Sequence, residues 1–254
     1  AAELDDPFEA VSRLHDGPEL IWARGGSRGM PAWVPTRYSL IEEVFLDAER
    51  FMSGDSNDAA ELLGVDWRLN PLEIDPPAHR AYRQILQPYF LPSAINTMEP
   101  MVRKVATDLI SEFEDEGGCE FIEQFAALFP SYIFLELMGL PRSMLPQFME
   151  WENAFMRAPD MMDRVGAARA IKDYLETYLE ERRSDPRDDL VTAILTAEVD
   201  GRPLDEGEIM GMAMVLYLGG LDTVMSSLGW YFRYLAGDQE LQARLRDNPS
   251  LIPG

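Results

Sequence analysis

Four residues near the end of the sequence are unusual types for an apolar helix. Gly219, Gly220, Asp222 and Thr223 stand in the stretch LGGLDT, inside a segment that is otherwise rich in hydrocarbon side chains. Each glycine costs about 1 kcal/mol of helix stability relative to alanine, and a buried aspartate is unfavourable unless another group pairs with it. We call these four residues the notch. Some role other than helix stability must favour them.

Spacing indicates what the notch could do. Thr223 lies one turn after Gly219, so its hydroxyl can bond the Gly219 carbonyl and bend or open the helix there. Glycines would let a small molecule approach the backbone, and an acid beside an alcohol is a plausible proton relay. A structural interpretation is also open. Paired glycines often allow close helix packing, and Asp222 could simply pair with an arginine.

A second group of chemically suited residues lies in DPPAHRAYR, residues 75–83. His79 and Arg83 are four residues apart and share a helix face, with Arg80 beside them. We call these three residues the basic cluster. An imidazole and two guanidiniums suit carboxylates or phosphates, although ordinary surface ion pairs would explain them too.

Composition excludes several classes of function. The chain has 254 residues, 46% of them hydrophobic, and a formal net charge of −23, which disfavours nucleic acid as a partner. The single Cys119 allows no internal disulfide and suggests a reducing compartment; we expect a small packed thiol at a turn. Apart from Cys119, the chain has only two histidines, His15 and His79. These are too few ligands or catalytic groups to favour a metal site of nitrogen and sulfur ligands or a hydrolase triad.

Hydropathy patterning predicts the elements that position these groups. We predict a β ribbon with short helices over residues 1–52, a polar loop over 53–74, and a helical core over 75–254. In that core we expect a helix capped by Asp75 and limited by Pro88, a tight hairpin turn at residues 200–201, and one long apolar helix over about 205–236. The fold class is therefore mainly α with a small N-terminal β ribbon. The longest uncharged run, Ile209 to Leu221, is shorter than the ~20 residues of a membrane span, so we expect a cytoplasmic protein that does not bind membranes.

Together the two motifs resemble a known family. GGLDT is similar to the [A/G]-G-x-[D/E]-T signature of the cytochrome P450 haem-thiolate monooxygenases, and IDPPAHRAYRQIL resembles their DPPxHxxxR helix. The similarity extends over essentially the whole chain and is greatest to the bacterial soluble, camphor hydroxylase-like class. It implies the helical fold of that family and a haem b cofactor.

The resemblance assigns a role to each residue of the notch. Gly219 and Gly220 would leave room for dioxygen beside the haem. Thr223 would hydrogen-bond the reacting oxygen, and Asp222 would gate proton delivery. The reaction implied is the insertion of one oxygen atom into a C–H bond.

It also implies how the cofactor, the electron donor and the substrate bind. His79 and Arg83 would neutralise the haem propionates. Arg80 and Arg83, with Arg103 or Lys104 as further candidates, would form a basic patch for a ferredoxin, which an NAD(P)H-dependent ferredoxin reductase would reduce.

A small apolar, terpenoid-like substrate is the third implied partner. Val215 and Leu218 would face it, although both could simply be core residues. Trp67, in the loop before the DPP helix, would form a wall of its cavity with one N–H donor. The segment 157–164 would be a lid between two helices.

Two family motifs that should follow the central helix, the E-x-x-R helix and the F-x-x-G-x-x-x-C loop that supplies the thiolate, are not found after residue 236. We expect that the sequence is truncated before the haem-thiolate segment. Cys119 is no substitute, because its acidic neighbours disfavour a thiolate. The alternative is a truncated, haem-free fragment that acts at most as a helical ligand-binding or interaction module. A terpenoid cyclase is disfavoured, since Asp188 and Asp189 have no third carboxylate at the spacing a magnesium–diphosphate site needs.

Overall fold

The computed structural model describes residues 7–25, 30–53 and 62–252. The chain divides into two compact units, Ala1–Asp55 and Ser56–Gly254. Part of the predicted covering loop, residues 54–61, lies outside the described residues.

The first unit contains the predicted β ribbon between two short helices. Helix α1 covers Pro7–Leu14, strands β1 and β2 cover Leu20–Ala23 and Ala32–Pro35, and α2 covers Tyr38–Leu46. The strands are antiparallel, and the cross-strand pair Trp22 and Trp33 places its ring centroids 5.0 Å apart.

In the described residues of the second unit, helices are joined by loops and by one short hairpin. Its helices are α3 Ala78–Leu86, α4 Pro92–Ser111, α5 Leu128–Met138, α6 Leu145–Arg157, α7 Met161–Ser184, α8 Leu190–Leu195, α9 Glu206–Leu221, α10 Thr223–Gly237 and α11 Gln239–Asp247. Strands β3 Glu198–Val199 and β4 Arg202–Pro203 form the hairpin. Its turn residues, Asp200 and Gly201, have φ of 53° and 77°, as the predicted tight turn requires. The mainly α fold with a small N-terminal ribbon is confirmed.

The core of the second unit forms where α5, α6, α7 and α9 pack together. Phe148, Ile171, Met212 and Tyr217 are almost fully buried there. The Tyr217 hydroxyl donates a hydrogen bond to the Phe148 carbonyl at 2.9 Å, which satisfies its polar end inside the apolar core. Helix α9 is the most buried of these elements, since all six of its residues from Ile209 to Met214 are buried.

The long apolar helix predicted over 205–236 is present as two helices that meet at Asp222, where the hydrogen bond from Thr223 to Gly219 opens the helix as the spacing predicts. Two other predictions of local structure are wrong. Helix α3 begins at Ala78, after Pro77 as its N-cap, so Asp75 precedes the capping position. Cys119 is exposed at the surface of the described structure, since the acidic turn that carries it leaves it uncovered.

The segment Glu206–Gly237 is long and apolar enough to pass a length-and-composition test for a membrane span. That test is weak evidence, because a core helix passes it too, and 44% of the most apolar window is buried inside the protein.

Candidate active site

The notch lies at the junction of α9 and α10. The Thr223 hydroxyl donates a hydrogen bond to the Gly219 carbonyl at 2.9 Å, which is the bond that the spacing predicts. Helix α9 ends at Leu221, and Asp222 stands between the two helices without capping α10 through its side chain. The opened turn is therefore a property of this sequence.

The two glycines of the notch have different surroundings. A Cβ on Gly220 would lie 2.1 Å from a ring carbon of Phe134, so this glycine lets α5 pack closely against α9. A Cβ on Gly219 would meet nothing within 4 Å. The structural interpretation thus explains Gly220, whereas Gly219 faces open space.

Asp222 is paired with a cation from another helix. The Arg157 guanidinium, at the end of α6, donates a hydrogen bond to the Asp222 carboxylate. The Asp222 side chain is 16% exposed and that of Arg157 46% exposed, so the pair lies at the boundary between protein and solvent. A proton carried by Asp222 could therefore come from solvent.

A cavity of about 360 Å³ lies behind this ion pair. We call it the relay cavity, and its lining includes Ser131, Glu152, Asn153, Arg157, Leu221 and Asp222. Glu152 is only 4% exposed, and neither of its carboxylate oxygens has a hydrogen-bond partner. Burial, with a smaller contribution from the Asp222 charge, raises the pKa of Glu152 to about 7, although Arg157 opposes the rise.

The remaining residues predicted to face the substrate are separated. Val215 and Leu218 are half-buried and pack against the main core on the turns before Gly219. Trp67 instead packs against Gly207, where a Cβ would lie 2.8 Å from the Trp67 Cβ. That contact is twelve residues, or about 18 Å of helix, before Gly219. The structure does not bring Trp67 to the notch, because the chain leading to α3 crosses α9 near its beginning.

The basic cluster lies on α3, with Arg80 and Arg83 exposed and His79 half-buried. No hydrogen bond or ion pair joins these three side chains to another residue in the described ranges. Arg103 and Lys104 differ, since each pairs at 2.7 Å with a carboxylate one turn away on α4. The imidazole of His79 and the two guanidiniums of this cluster are therefore available to an anionic group.

A hydrogen-bonded group fixes α3 against the beginning of α9. The Tyr82 hydroxyl donates to Glu208, which also accepts two hydrogen bonds from Arg202 at 2.7 and 2.8 Å and completes a capping box with Asp205. These bonds, led by those from Arg202, lower the pKa of Glu208 to about 2. The basic cluster is therefore carried by a helix with a fixed position on α9.

Comparison with known proteins agrees with this geometry. A family model described as "Cytochrome P450" matches residues 132–250. "Probable cytochrome P450 127A1" from Sinorhizobium fredii is 32% identical over 250 residues, which are 97% of this chain and 60% of that protein. The chain belongs to the cytochrome P450 family.

Further relatives and solved structures extend the comparison of this cytochrome P450 chain. "Erythromycin C-12 hydroxylase" from Saccharopolyspora erythraea is 32% identical and aligns with 87% of this chain and 57% of its own length. The crystal structure of CYP101J2 superposes on 100% of this chain and 63% of its own, with a TM-score of 0.83 and 32% identity. CYP101C1 gives a TM-score of 0.81 at 31% identity. The chain spans about 60% of the length of the first of these relatives.

Sequence reasoning missed three residues of the site. Phe134 explains Gly220, Arg157 was assigned only to a lid, and Glu152 was not singled out. A signal for Glu152 exists, since Leu145, Phe148 and Glu152 follow helical spacing, so the acid occupies a core position of α6. Nothing in the sequence near Arg157 names Asp222 as its partner, 65 residues later.

Proposed function

We propose that the complete gene product is a haem-dependent monooxygenase that hydroxylates a small apolar, terpenoid-like substrate. The observation that carries this proposal is the opened turn at the notch, where Thr223 bonds back to Gly219 and one side of Gly219 is open. A helix gains no stability from this arrangement, so a reactant beside the backbone is its best explanation.

The residues present fit a haem b. Its anionic propionates would be held by His79 and Arg83, whose side chains have no partner in the described part of the chain. Gly219 would leave the face toward the notch free of side chains. When bound, haem supplies the redox chemistry that activates dioxygen.

The protein's own groups would orient the reactants and move protons. The Thr223 hydroxyl, oriented by its bond to Gly219, would hydrogen-bond the reacting oxygen, and Asp222 would pass protons inward from the solvent side. Arg157 would hold the Asp222 carboxylate in position through their ion pair.

Electrons would arrive from a ferredoxin, reduced by an NAD(P)H-dependent ferredoxin reductase in the cytoplasm. Arg80 and Arg83 are exposed and unpaired among the described residues, so they form a local basic patch despite the net charge of −23. A local field of this kind steers an acidic partner more than the total charge does.

The apolar turns beside the notch support an apolar substrate. Val215 and Leu218 offer only hydrocarbon surface, which favours a ligand without charge. Trp67 belongs to this proposal only if the covering loop moves, because it packs against Gly207.

The test is the haem content of the complete gene product, measured by absorbance per mole of protein. We expect the double variant His79→Ala/Arg83→Ala to lose most of its haem, whereas Arg80→Ala keeps haem and loses affinity for ferredoxin. Small apolar compounds should shift the haem spectrum of the wild type. A wild-type protein that shows no haem absorbance when haem is supplied would overturn the proposal and favour the haem-free helical module.

A further inference from the structure

Glu152 is the one residue of the described ranges whose buried side-chain oxygens lack any hydrogen-bond partner. An unsatisfied buried carboxyl normally costs stability, so a protein keeps one where it has a use. Its 4% exposure places it within the packed face of α6, while the relay cavity touches it on one side.

The charged and titratable groups around Glu152 come from several elements. Arg157 follows on the same helix, Asp222 lies on the other wall of the relay cavity, and Glu123 lines the cavity from the segment before α5. Tyr217 on α9 is also close enough to interact electrostatically. Burial raises the pKa of Tyr217, so this phenol stays neutral.

Two carboxyl groups, those of Asp222 and Glu152, lie near one guanidinium, that of Arg157. Arg157 bonds Asp222 and leaves Glu152 without a hydrogen bond. Two carboxyl groups that share one cation in a low-dielectric site do not both ionise easily, so one of them keeps its proton. The unbonded group, Glu152, is the one expected to keep it.

We propose that Glu152 is a positioning residue that stores a proton and passes it to Asp222 across the relay cavity. The O–H bond of the Glu152 carboxyl breaks and an O–H bond forms on the Asp222 carboxylate, so the negative charge moves to Glu152 and no redox partner is needed. The cavity of about 360 Å³ is large enough to hold water that carries the proton between them, and rotation of the Glu152 side chain would bring its carboxyl, whose oxygens are buried in this structure, to that water. A proton from solvent then reloads Glu152 through the same cavity.

This inference rests on the proposed function, since it uses the notch as the place where protons are consumed. It predicts that Glu152 is neutral below about pH 7 and that its titration is coupled to Asp222. A carboxyl that served only packing would titrate without any effect on turnover.

The experiment combines infrared spectroscopy with kinetics on the complete gene product. The wild type should show the C=O stretch of a buried protonated carboxyl, which disappears as the pH rises through about 7. Glu152→Gln should lack this band, and the control Glu123→Gln, at an exposed position on the same cavity, should retain it. Asp222→Asn should shift its loss to lower pH, because the neighbouring negative charge is removed.

Kinetics distinguish storage of a proton from simple burial. With ferredoxin and a compound that shifts the haem spectrum, Glu152→Gln should lower kcat about tenfold, leave KM unchanged and flatten the pH profile, whereas Glu152→Asp should recover part of the rate. A band that persists in Glu152→Gln, or a haem-loaded variant with an unchanged pH profile, would overturn the Glu152 proposal alone. A wild type without haem would overturn the proposed function and the relay with it.

Discussion

Two glutamates of the helical unit have opposite environments. Glu208, at the beginning of α9, is bonded by Arg202, Tyr82 and a backbone N–H, and its pKa is lowered to about 2. Glu152, beside the other end of α9, is buried without a hydrogen bond, and its pKa is raised to about 7. The hydrogen-bonded carboxylate of Glu208 therefore stabilises the fold, whereas the unbonded carboxyl of Glu152 lies beside the groups proposed to react.

The largest effect on stability is expected at Glu208. Glu208→Ala removes the bonds to Arg202 and Tyr82 and half of the capping box, so we expect the free energy of unfolding at pH 7 to fall by about 3 kcal/mol. Chemical denaturation measures it. Glu206→Ala is the control, because the Glu206 carboxylate that pairs with Arg183 is exposed to solvent. This variant should change the free energy of unfolding by less than about 0.5 kcal/mol. Equal losses in the two variants would contradict the structural role of Glu208.

A slightly smaller change of opposite sign is expected at Glu152. At pH 8 the wild type carries a buried charge there, so Glu152→Met should raise the free energy of unfolding by about 2 kcal/mol. Met is apolar and of similar volume, which limits any packing defect. Denaturation at pH 8 gives the value, and a destabilised variant would mean that Glu152 has a partner in solution.

The two glycines of the notch provide a matched pair with intermediate effects. Gly220→Ala should lower the free energy of unfolding by about 1–2 kcal/mol, because the added methyl group meets the Phe134 ring. Gly219→Ala should leave stability unchanged or raise it by up to about 1 kcal/mol, since its Cβ meets nothing. Thermal or chemical denaturation of both variants tests the difference.

Measurement of the oxygenation rate separates the two glycines further. We expect Gly219→Ala to fold normally and yet lose oxygenation rate, because the methyl group enters the space proposed for dioxygen. A fully active Gly219→Ala would remove that space from the account.

The smallest change in stability is expected at Thr223. Its hydroxyl is exposed and bonds a helix carbonyl, so Thr223→Ala should alter the free energy of unfolding by less than about 0.5 kcal/mol. In the complete gene product it should increase the oxygen consumed per product formed, while Thr223→Ser behaves as the wild type. Oxygen-electrode and product assays measure this ratio; unchanged coupling would remove Thr223 from its proposed role.

Local sequence patterns predict much of the fold. The hairpin at Asp200-Gly201 and the bond between Thr223 and Gly219 depend on neighbours within four residues, so spacing predicts them. Hydropathy alone predicts one helix over 205–236, because apolar periodicity does not detect a hydroxyl that competes for a backbone carbonyl. The bond between Thr223 and Gly219 interrupts that helix at Asp222.

Long-range pairs could not be predicted in this way. Arg157 and Asp222 are 65 residues apart, and Tyr82 and Glu208 are 126 apart, so only the packing of helices brings them together. Gly219 and Gly220 are adjacent glycines that the sequence alone does not distinguish. Only the position of the Phe134 ring shows that Gly220 allows close helix packing, whereas Gly219 faces open space.

The most direct test of the difference between Glu208 and Glu152 is the pH dependence of the free energy of unfolding. The folded-state pKa of Glu152 is raised, so the protein binds a proton there that the unfolded chain has released, and stability falls as pH rises from about 4.5 to about 7. The folded-state pKa of Glu208 is lowered, so its contribution is present above about pH 4.5 and is lost as pH falls toward about 2.

Wild type, Glu152→Gln and Glu208→Gln should therefore give profiles that differ in opposite directions. Relative to Glu152→Gln, the wild type should lose stability between about pH 4.5 and 7; relative to Glu208→Gln, it should gain stability between about pH 2 and 4.5. A wild-type profile parallel to that of Glu152→Gln over the higher range would contradict the account, because Glu152 would then be an ordinary ionised carboxylate.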